Sequence, residues 1–184
     1  MKKVSYKGLT FVPYLESEKI QARVKELGEQ ITRECGGQRP LFLCVLNGAF
    51  PFASDLFRSV QLPDAEISFI RLKSYEGTES TGVVKEVMGL TENVEGRTVI
   101  VIEDIIDTGR TISNLVKDLK AKNPGDVKIA TLLFKPESLK ADVTPDYVGF
   151  ESPSDFIIGY GLDIDGLARN LPDIWVIDEE GNEQ

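Results

Sequence analysis

The stretch Val99-Ile100-Val101-Ile102-Glu103-Asp104-Ile105-Ile106-Asp107-Thr108-Gly109-Arg110-Thr111 decides the fold. It opens on four consecutive β-branched residues with no polar alternation, the pattern of a strand covered on both faces. Two adjacent carboxylates follow, and then a tight turn at Asp107-Thr108-Gly109. From Arg110 to Ala121 the apolar residues Ile112, Leu115, Val116 and Leu119 keep to one side of a helix. A buried strand that runs through a short turn into a helix is the unit of an α/β fold with a parallel sheet. Ligands bind beyond the carboxyl ends of the strands in such sheets.

The flanking sequence repeats the alternation. Glu16 to Cys35 reads as an amphipathic helix on Ile20, Val24, Leu27 and Ile31, stopped by Gly36-Gly37. Pro40 to Leu46 is a buried strand broken by Asn47-Gly48, and Phe52, Ala53, Leu56, Phe57 and Val60 mark a second helix. Ala65 to Leu72 and Asp126 to Phe134 read as further strands. Lys73 to Lys85 is polar and glycine-bearing, and an irregular segment of that length inside a domain is either a functional loop or a disordered one. The last fifty residues carry short apolar runs at Tyr147-Phe150, Phe156-Tyr160 and Ile174-Ile177, and an acidic tail over 178–184 is expected to fray. The expectation is one α/β domain over 1–184, with a central, mainly parallel sheet flanked by helices.

Composition narrows the chemistry. The chain has 184 residues, with 21 Lys and Arg against 30 Asp and Glu, so 21 − 30 gives a net charge of −9. It has no histidine, which removes Ser-His-Asp and Cys-His catalysis and every imidazole metal ligand. Its two cysteines are too few for a Cys-only zinc site or a disulfide framework, and Cys35 and Cys44 are read as bystanders. The acidic balance opposes nucleic acid as a partner. No apolar run reaches the ~20 residues that span a bilayer. Met1-Lys2-Lys3 is not followed by an apolar signal segment, so a cytoplasmic, reduced protein is expected.

Catalysis is thereby left to carboxylates, hydroxyls, lysine, arginine, backbone amides and an oxygen-ligated cation. The opening stretch supplies several of these. Free amides at a helix N-terminus bind anions, Gly109 lets the backbone approach closely, and Thr108 and Thr111 add hydroxyl donors. Glu103 and Asp104 repel a phosphate but accept hydrogen bonds from vicinal hydroxyls or sit near magnesium. Acids followed by a phosphate cradle describe a ribose 5-phosphate site. The plainer reading makes Asp107 a helix cap and the two acids a solvated turn.

The thirteen-residue stretch resembles the phosphoribosyl-pyrophosphate motif of the type I phosphoribosyltransferases. Leu46-Asn47-Gly48-Ala49-Phe50 resembles their pyrophosphate loop, and Ser74-Tyr75 the start of their flexible lid over roughly 73–86. Lys135-Pro136, Tyr147 to Glu151, and Phe156-Ile157-Ile158-Gly159-Tyr160-Gly161-Leu162-Asp163 resemble the purine end of the hypoxanthine-guanine branch, with Arg169 following. The resemblance covers nearly the whole chain. It implies the type I fold, with a small hood over the purine built from the N-terminal segment and roughly 150–175.

The implied activity is magnesium-dependent transfer of a phosphoribosyl group from phosphoribosyl pyrophosphate to N9 of hypoxanthine or guanine. This is purine salvage, with release of IMP or GMP and pyrophosphate. Asp107 and Arg169 would be catalytic. Glu103, Asp104, Asp107, Thr108, Gly109, Arg110 and Thr111 would bind the ribose phosphate. Leu46, Asn47, Gly48, Ser74, Tyr75 and Arg169 would meet the pyrophosphate. Ile105, Lys135, Phe156, Ile157 and Asp163 would bind the purine, and Glu103, Asp104 and Asp163 the Mg2+. A non-proline cis peptide is implied at Leu46-Asn47. A lysine often stands in the family where this chain has Asn47, which carries no charge. Relatives are homodimers or homotetramers. The competing readings are a family member that binds ligand without turnover, and transfer to xanthine, adenine or a pyrimidine.

Overall fold

Apolar strands alternate with amphipathic helices along the chain, and the computed structural model folds them into two sheets; it describes residues 3–73, 85–152, 154–179 and 181. The elements are β1 (Val4–Tyr6), β2 (Leu9–Leu15), α1 (Ser17–Glu34), β3 (Leu41–Leu46), α2 (Phe50–Ser59), β4 (Glu66–Lys73), β5 (Lys85–Met88), β6 (Thr98–Ile106), α3 (Arg110–Lys120), β7 (Asp126–Phe134), β8 (Tyr147–Glu151), β9 (Ile157–Ile158) and β10 (Ile174–Ile177), with a 3-10 turn at Pro136–Ser138. The larger sheet has the order β5-β4-β3-β6-β7-β8. Five of its strands are parallel, and β5 runs antiparallel on the edge against β4. This is the mainly parallel α/β sheet expected from the sequence.

Both faces of that sheet are covered, which is why β3 and β6 are continuous apolar runs instead of alternating ones. Ile100 and Ile102 of β6 join Ile20, Val24, Leu27 and Ile31 of α1 and Phe52, Ala53 and Leu56 of α2 in one core. Val99 and Val101, their neighbours on the opposite face, pack with Ile112, Leu115 and Leu119 of α3. The helix stripes read from spacing are the buried ones. Cys35 and Cys44 are free and buried, and burial raises both thiols, Cys44 to about 12, which keeps them protonated and unreactive.

The second sheet has the order β1-β2-β10-β9 and is antiparallel throughout. Ile157 and Ile174 from it enter the α1–α2 core, and Phe11, Ile158, Ala168 and Trp175 make a small core of their own. Neither β1 nor β2 is evident from periodicity, because β1 has three residues and β2 is mostly half-buried and contains Pro13. The start of the tail is tied down: the Asp178 amide donates to Thr10 O at 2.9 Å, and Lys3 Nζ lies 2.6 Å from its carboxylate. Ser74, Tyr75 and most of the expected lid lie outside the described residues.

Arg23 of α1 reaches the edge strand β8. Its Nε donates to Gly149 O at 3.0 Å and its Nη2 to Val148 O at 2.8 Å. One planar guanidinium thus satisfies two neighbouring carbonyls on the sheet edge. Arg23→Ala is expected to lower the free energy of urea unfolding by about 1–3 kcal/mol. Arg23→Lys should recover only part of it, since an ammonium cannot span both oxygens.

Candidate functional site

Three adjacent parallel strands end at one rim of the large sheet. Leu46 closes β3, Ile106 closes β6 and Phe134 closes β7. The turns that follow begin with Asn47, Asp107 and Lys135, so sheet order alone gathers residues that are almost ninety positions apart in the chain. Strand β6 continues past the β-branched run to Ile106, so Glu103 and Asp104 belong to the strand and not to a solvated turn.

The burial of these two acids dominates the electrostatics. Glu103 is 8% exposed. Loss of solvent, and then the neighbouring Asp104 charge, raise its pKa well above the usual carboxylate value, and a hydrogen bond from the Asp104 backbone offsets part of that. Burial likewise raises Asp104, to about 6, against the opposing effects of a hydrogen bond from Ile105 N and the Arg169 charge. The Ile105 amide donates to Asp104 Oδ1 at 2.8 Å.

Beside Asp104 lies the turn that follows β3, with a cis peptide at Leu46-Asn47. Gly48 is required there by space: a Cβ would collide with the Asp104 carboxylate and stand 3.3 Å from Arg169 Nη1. Arg169 Nη1 donates to Gly161 O at 2.6 Å, and Nη2 pairs with Asp163 Oδ1 at 2.7 Å. Asp163 Oδ2 accepts from Gly166 N at 2.6 Å. Asp104, Gly48, Asp163 and Arg169 therefore form one cluster. Among the described residues no group of three or more side chains with metal-ligand chemistry is assembled.

The helix start is an open anion cradle. The N-cap of α3 is Gly109, at φ 75°, with no side-chain cap bond and no acidic residue in the first turn. Asp107 is consequently not the cap, contrary to the plainer sequence reading. A Cβ on Gly109 would lie 2.7 Å from both Leu139 Cδ1 and Val143 Cγ1, so the turn needs glycine for space as well as for φ. The amides of Arg110 and Thr111 carry the positive end of the helix dipole with nothing from the chain capping it.

A third group lies beside it. Lys135 is buried, and its Nζ donates to Ser154 O at 3.1 Å and Asp155 O at 3.0 Å, with Asp107 Oδ2 4.0 Å away. Phe156, next along that loop, is 44% exposed, whereas Ile157 is buried. The exposure separates Phe156 from a core aromatic. Its ring rests 6.1 Å from buried Phe11 of β2. Ile105 is half-buried behind the turn. The carbonyls of Ser154 and Asp155, and the Phe11 backing, are not evident from sequence, since nothing in local pattern says what Lys135 will reach.

A phosphoribosyl transferase domain model matches residues 13–165. The chain belongs to the phosphoribosyltransferase family. It is similar to a hypoxanthine-guanine phosphoribosyltransferase of Streptococcus thermophilus, 46% identical over 89% of this chain and 91% of that protein. The enzyme of the same name from Bacillus subtilis is 44% identical over 89% and 91%. A crystal structure of a Staphylococcus aureus hypoxanthine phosphoribosyltransferase superposes with a TM-score of 0.88 at 37% identity, covering 94% of each chain. These matches put the chain in the hypoxanthine-guanine branch.

The raised pKa of Asp104 ties stability to pH with a definite sign. Between about 4 and about 6 the unfolded chain loses a proton that the folded one keeps, so stability falls as pH rises. Asp104→Asn keeps the acceptor for Ile105 N but removes that penalty. In the ligand-free protein it is expected to melt above wild type at pH 7, by up to about 3 kcal/mol in stability, and to lose the advantage below about pH 4. Thermal melts of both proteins across that range make the check.

Proposed function

We propose that this protein transfers the 5-phosphoribosyl group of phosphoribosyl pyrophosphate to N9 of hypoxanthine or guanine, releasing pyrophosphate in purine salvage. The observation that carries the reading is the juxtaposition, at one sheet rim, of an uncapped helix start, an acid pair of one buried and one half-buried carboxylate, and a lysine beside an exposed aromatic. Family membership in the hypoxanthine-guanine branch supports the same activity.

Each part has a task in the reaction. The amides of 109–111 and the hydroxyls of Thr108 and Thr111 hold the 5′-phosphate, with Arg110 beside them. Glu103 and Asp104 accept hydrogen bonds from the ribose hydroxyls, a role that offsets the cost of their burial. Leu46, Asn47 and Gly48 present the loop backbone to the pyrophosphate, with Ser74 and Tyr75 assigned to the lid. Arg169 carries the fork that pairs with phosphate oxygens as negative charge moves onto the leaving group. Carboxylates at Asp104 and Asp163 suit magnesium, which takes one or two such ligands and completes its shell with water and phosphate oxygens. Glu103 is the third acid assigned to it. When bound, the ion offsets the diphosphate charge.

The purine is sandwiched at the other end. Phe156 stacks on its face, backed by Phe11, and Ile105 lines the floor. Ile157 contributes its backbone, and Asp163 borders the far side. Lys135 donates to the 6-oxo group, and Asp107 accepts the proton at N7; O6 and N7 lie on one edge of the base, matching two side chains 4.0 Å apart. A donor-only ammonium selects a carbonyl over the 6-amino group of adenine. The bond from C1′ to pyrophosphate oxygen breaks as N9 attacks, so catalysis rests on alignment and charge stabilisation. The second sheet and the 159–173 segment act as the hood over one domain.

The setting follows from the same reading: a cytoplasmic enzyme of small-molecule substrates, active as a homodimer or homotetramer. Two free thiols support a reducing compartment. No helix among the described residues is long and apolar enough to cross a membrane.

Incubation with magnesium, phosphoribosyl pyrophosphate and each of hypoxanthine, guanine, xanthine and adenine tests the proposal. Nucleotide should form with hypoxanthine or guanine and stop when divalent metal is chelated. No product with any base would sink the reading in favour of a binding protein without turnover. Lys135→Ala is expected to reduce kcat/KM for 6-oxopurines by roughly 10–100-fold. Asp107→Asn should leave the melting curve in place and lower kcat by about 100-fold. An unchanged kcat would remove Asp107 from the chemistry.

A further inference from the structure

The segment that delivers Asp163 and Arg169 to the site runs through three consecutive residues in left-handed backbone: Gly159 at φ 97°, Tyr160 at 49° and Gly161 at 104°. Two of these are glycines, for which that region is open. The third is a bulky aromatic, for which it is a strained conformation that needs outside support. The support is visible. Tyr160 is 5% exposed, and its phenol donates to Asp55 Oδ2 of α2 at 2.6 Å. Gln21 of α1 donates from Nε2 to the same carboxylate oxygen at 2.6 Å and lies 3.5 Å from the phenol oxygen. Both partners sit on regular helices that pack in the main core, so the turn is pinned to that core.

What is pinned next to Tyr160 is the support of Arg169. Gly161 N donates to Arg169 O at 3.0 Å, and Gly161 O accepts from Arg169 Nη1 at 2.6 Å. On its other side Gly161 is pressed against the pyrophosphate-loop segment, where a Cβ would collide with Gly48 O and stand 3.1 Å from Pro51 Cδ. Gly161 therefore touches both Arg169 and the loop that opens α2. A change in the Tyr160 backbone shifts the fork of Arg169 and the floor under Gly48 together. Lys135 and Phe156, two of the residues assigned to the base, are held separately, through Ser154, Asp155 and Phe11, whereas Asp163 is coupled to the turn through Arg169.

We propose that Tyr160, held by Asp55 and Gln21, is a positioning residue for the pyrophosphate end of the site: the phenol–carboxylate bond sets the turn that aims Arg169 and seats the Gly48 loop. The inference rests on the activity proposed above. It places the larger effect on one substrate, which makes it separable from a general role in stability.

Steady-state kinetics of wild type, Tyr160→Phe, Asp55→Leu and Asp55→Asn test it, with melting temperatures measured alongside. Tyr160→Phe keeps the ring and loses only the donor. Its KM for phosphoribosyl pyrophosphate is expected to rise on the order of tenfold, and the KM for the purine by much less. Asp55→Leu should reproduce the effect, and Asp55→Asn, which retains an acceptor oxygen, should restore most of it. The double variant Tyr160→Phe/Asp55→Leu should be no worse than either single change. Unchanged KM for phosphoribosyl pyrophosphate in Tyr160→Phe overturns the inference. So does an equal rise in both KM values, or a fall in kcat that follows the melting temperature alone. A wild-type protein inactive with every base overturns the proposed function instead, and is recognised before any variant is made.

Discussion

Two carboxylates at the end of a buried strand are the constraint around which the rest of the molecule is arranged. Strand β6 lies between β3 and β7 and is shielded by helices on both faces, so its carboxyl end is poorly solvated. Glu103 and Asp104 are adjacent in sequence, and burial acts on both before the repulsion of Glu103 by Asp104 and of Asp104 by Asp163 is counted. A charge taken from water without a partner is disfavoured, and the cation that favours ionised Asp104 is Arg169, itself shared with Asp163. Space around the Asp104 oxygens is correspondingly tight.

That requirement explains where glycine appears. Gly48 leaves space for the Asp104 carboxylate, Gly109 lets the chain turn from strand to an uncapped helix, and Gly161 admits the backbone of the Gly48 loop. Charge is divided over the site in the same spirit. Acids occupy the region assigned to ribose and metal, while the phosphate is left to amides and a helix end. A chain of net charge −9 can in this way receive a polyanionic substrate without a basic surface, because the attraction is local and short-ranged.

Much of this arrangement is legible in the order of residues. Periodicity locates α1 and α3 to within a residue or two, and β7 at Asp126 to Phe134, because helical stripes and continuous apolar runs are strong local signals. Of the antiparallel strands, β10 coincides with the apolar run Ile174-Ile177, but β1, β2 and β5 are not legible, since none of them is an apolar run or a clean alternation. The length of β6 is also hidden, since acids look like the end of a strand until the neighbouring β7 is seen to pair with Glu103, Ile105 and Ile106. Tyr160 carries no signal of its own within a glycine-rich run. Its partners, Asp55 and Gln21, stand 105 and 139 residues away, and no spacing rule connects them.

By itself the sequence determined the fold class, the strand–turn–helix unit that makes an anion site, the absence of imidazole chemistry, and the family resemblance carried by four ordered blocks. These are properties of residue type and local period, which act over a few positions. Only the tertiary structure decided that Asp104, Gly48, Asp163 and Arg169 meet, that Lys135 is buried against the loop leading to an exposed Phe156, that Gly109 and not Asp107 caps the helix, and that Tyr160 is held from behind by two helices. Each of those depends on strand order and on side chains brought together from distant segments. Contacts of that kind are set by packing of the whole chain, and a local pattern contains no record of them.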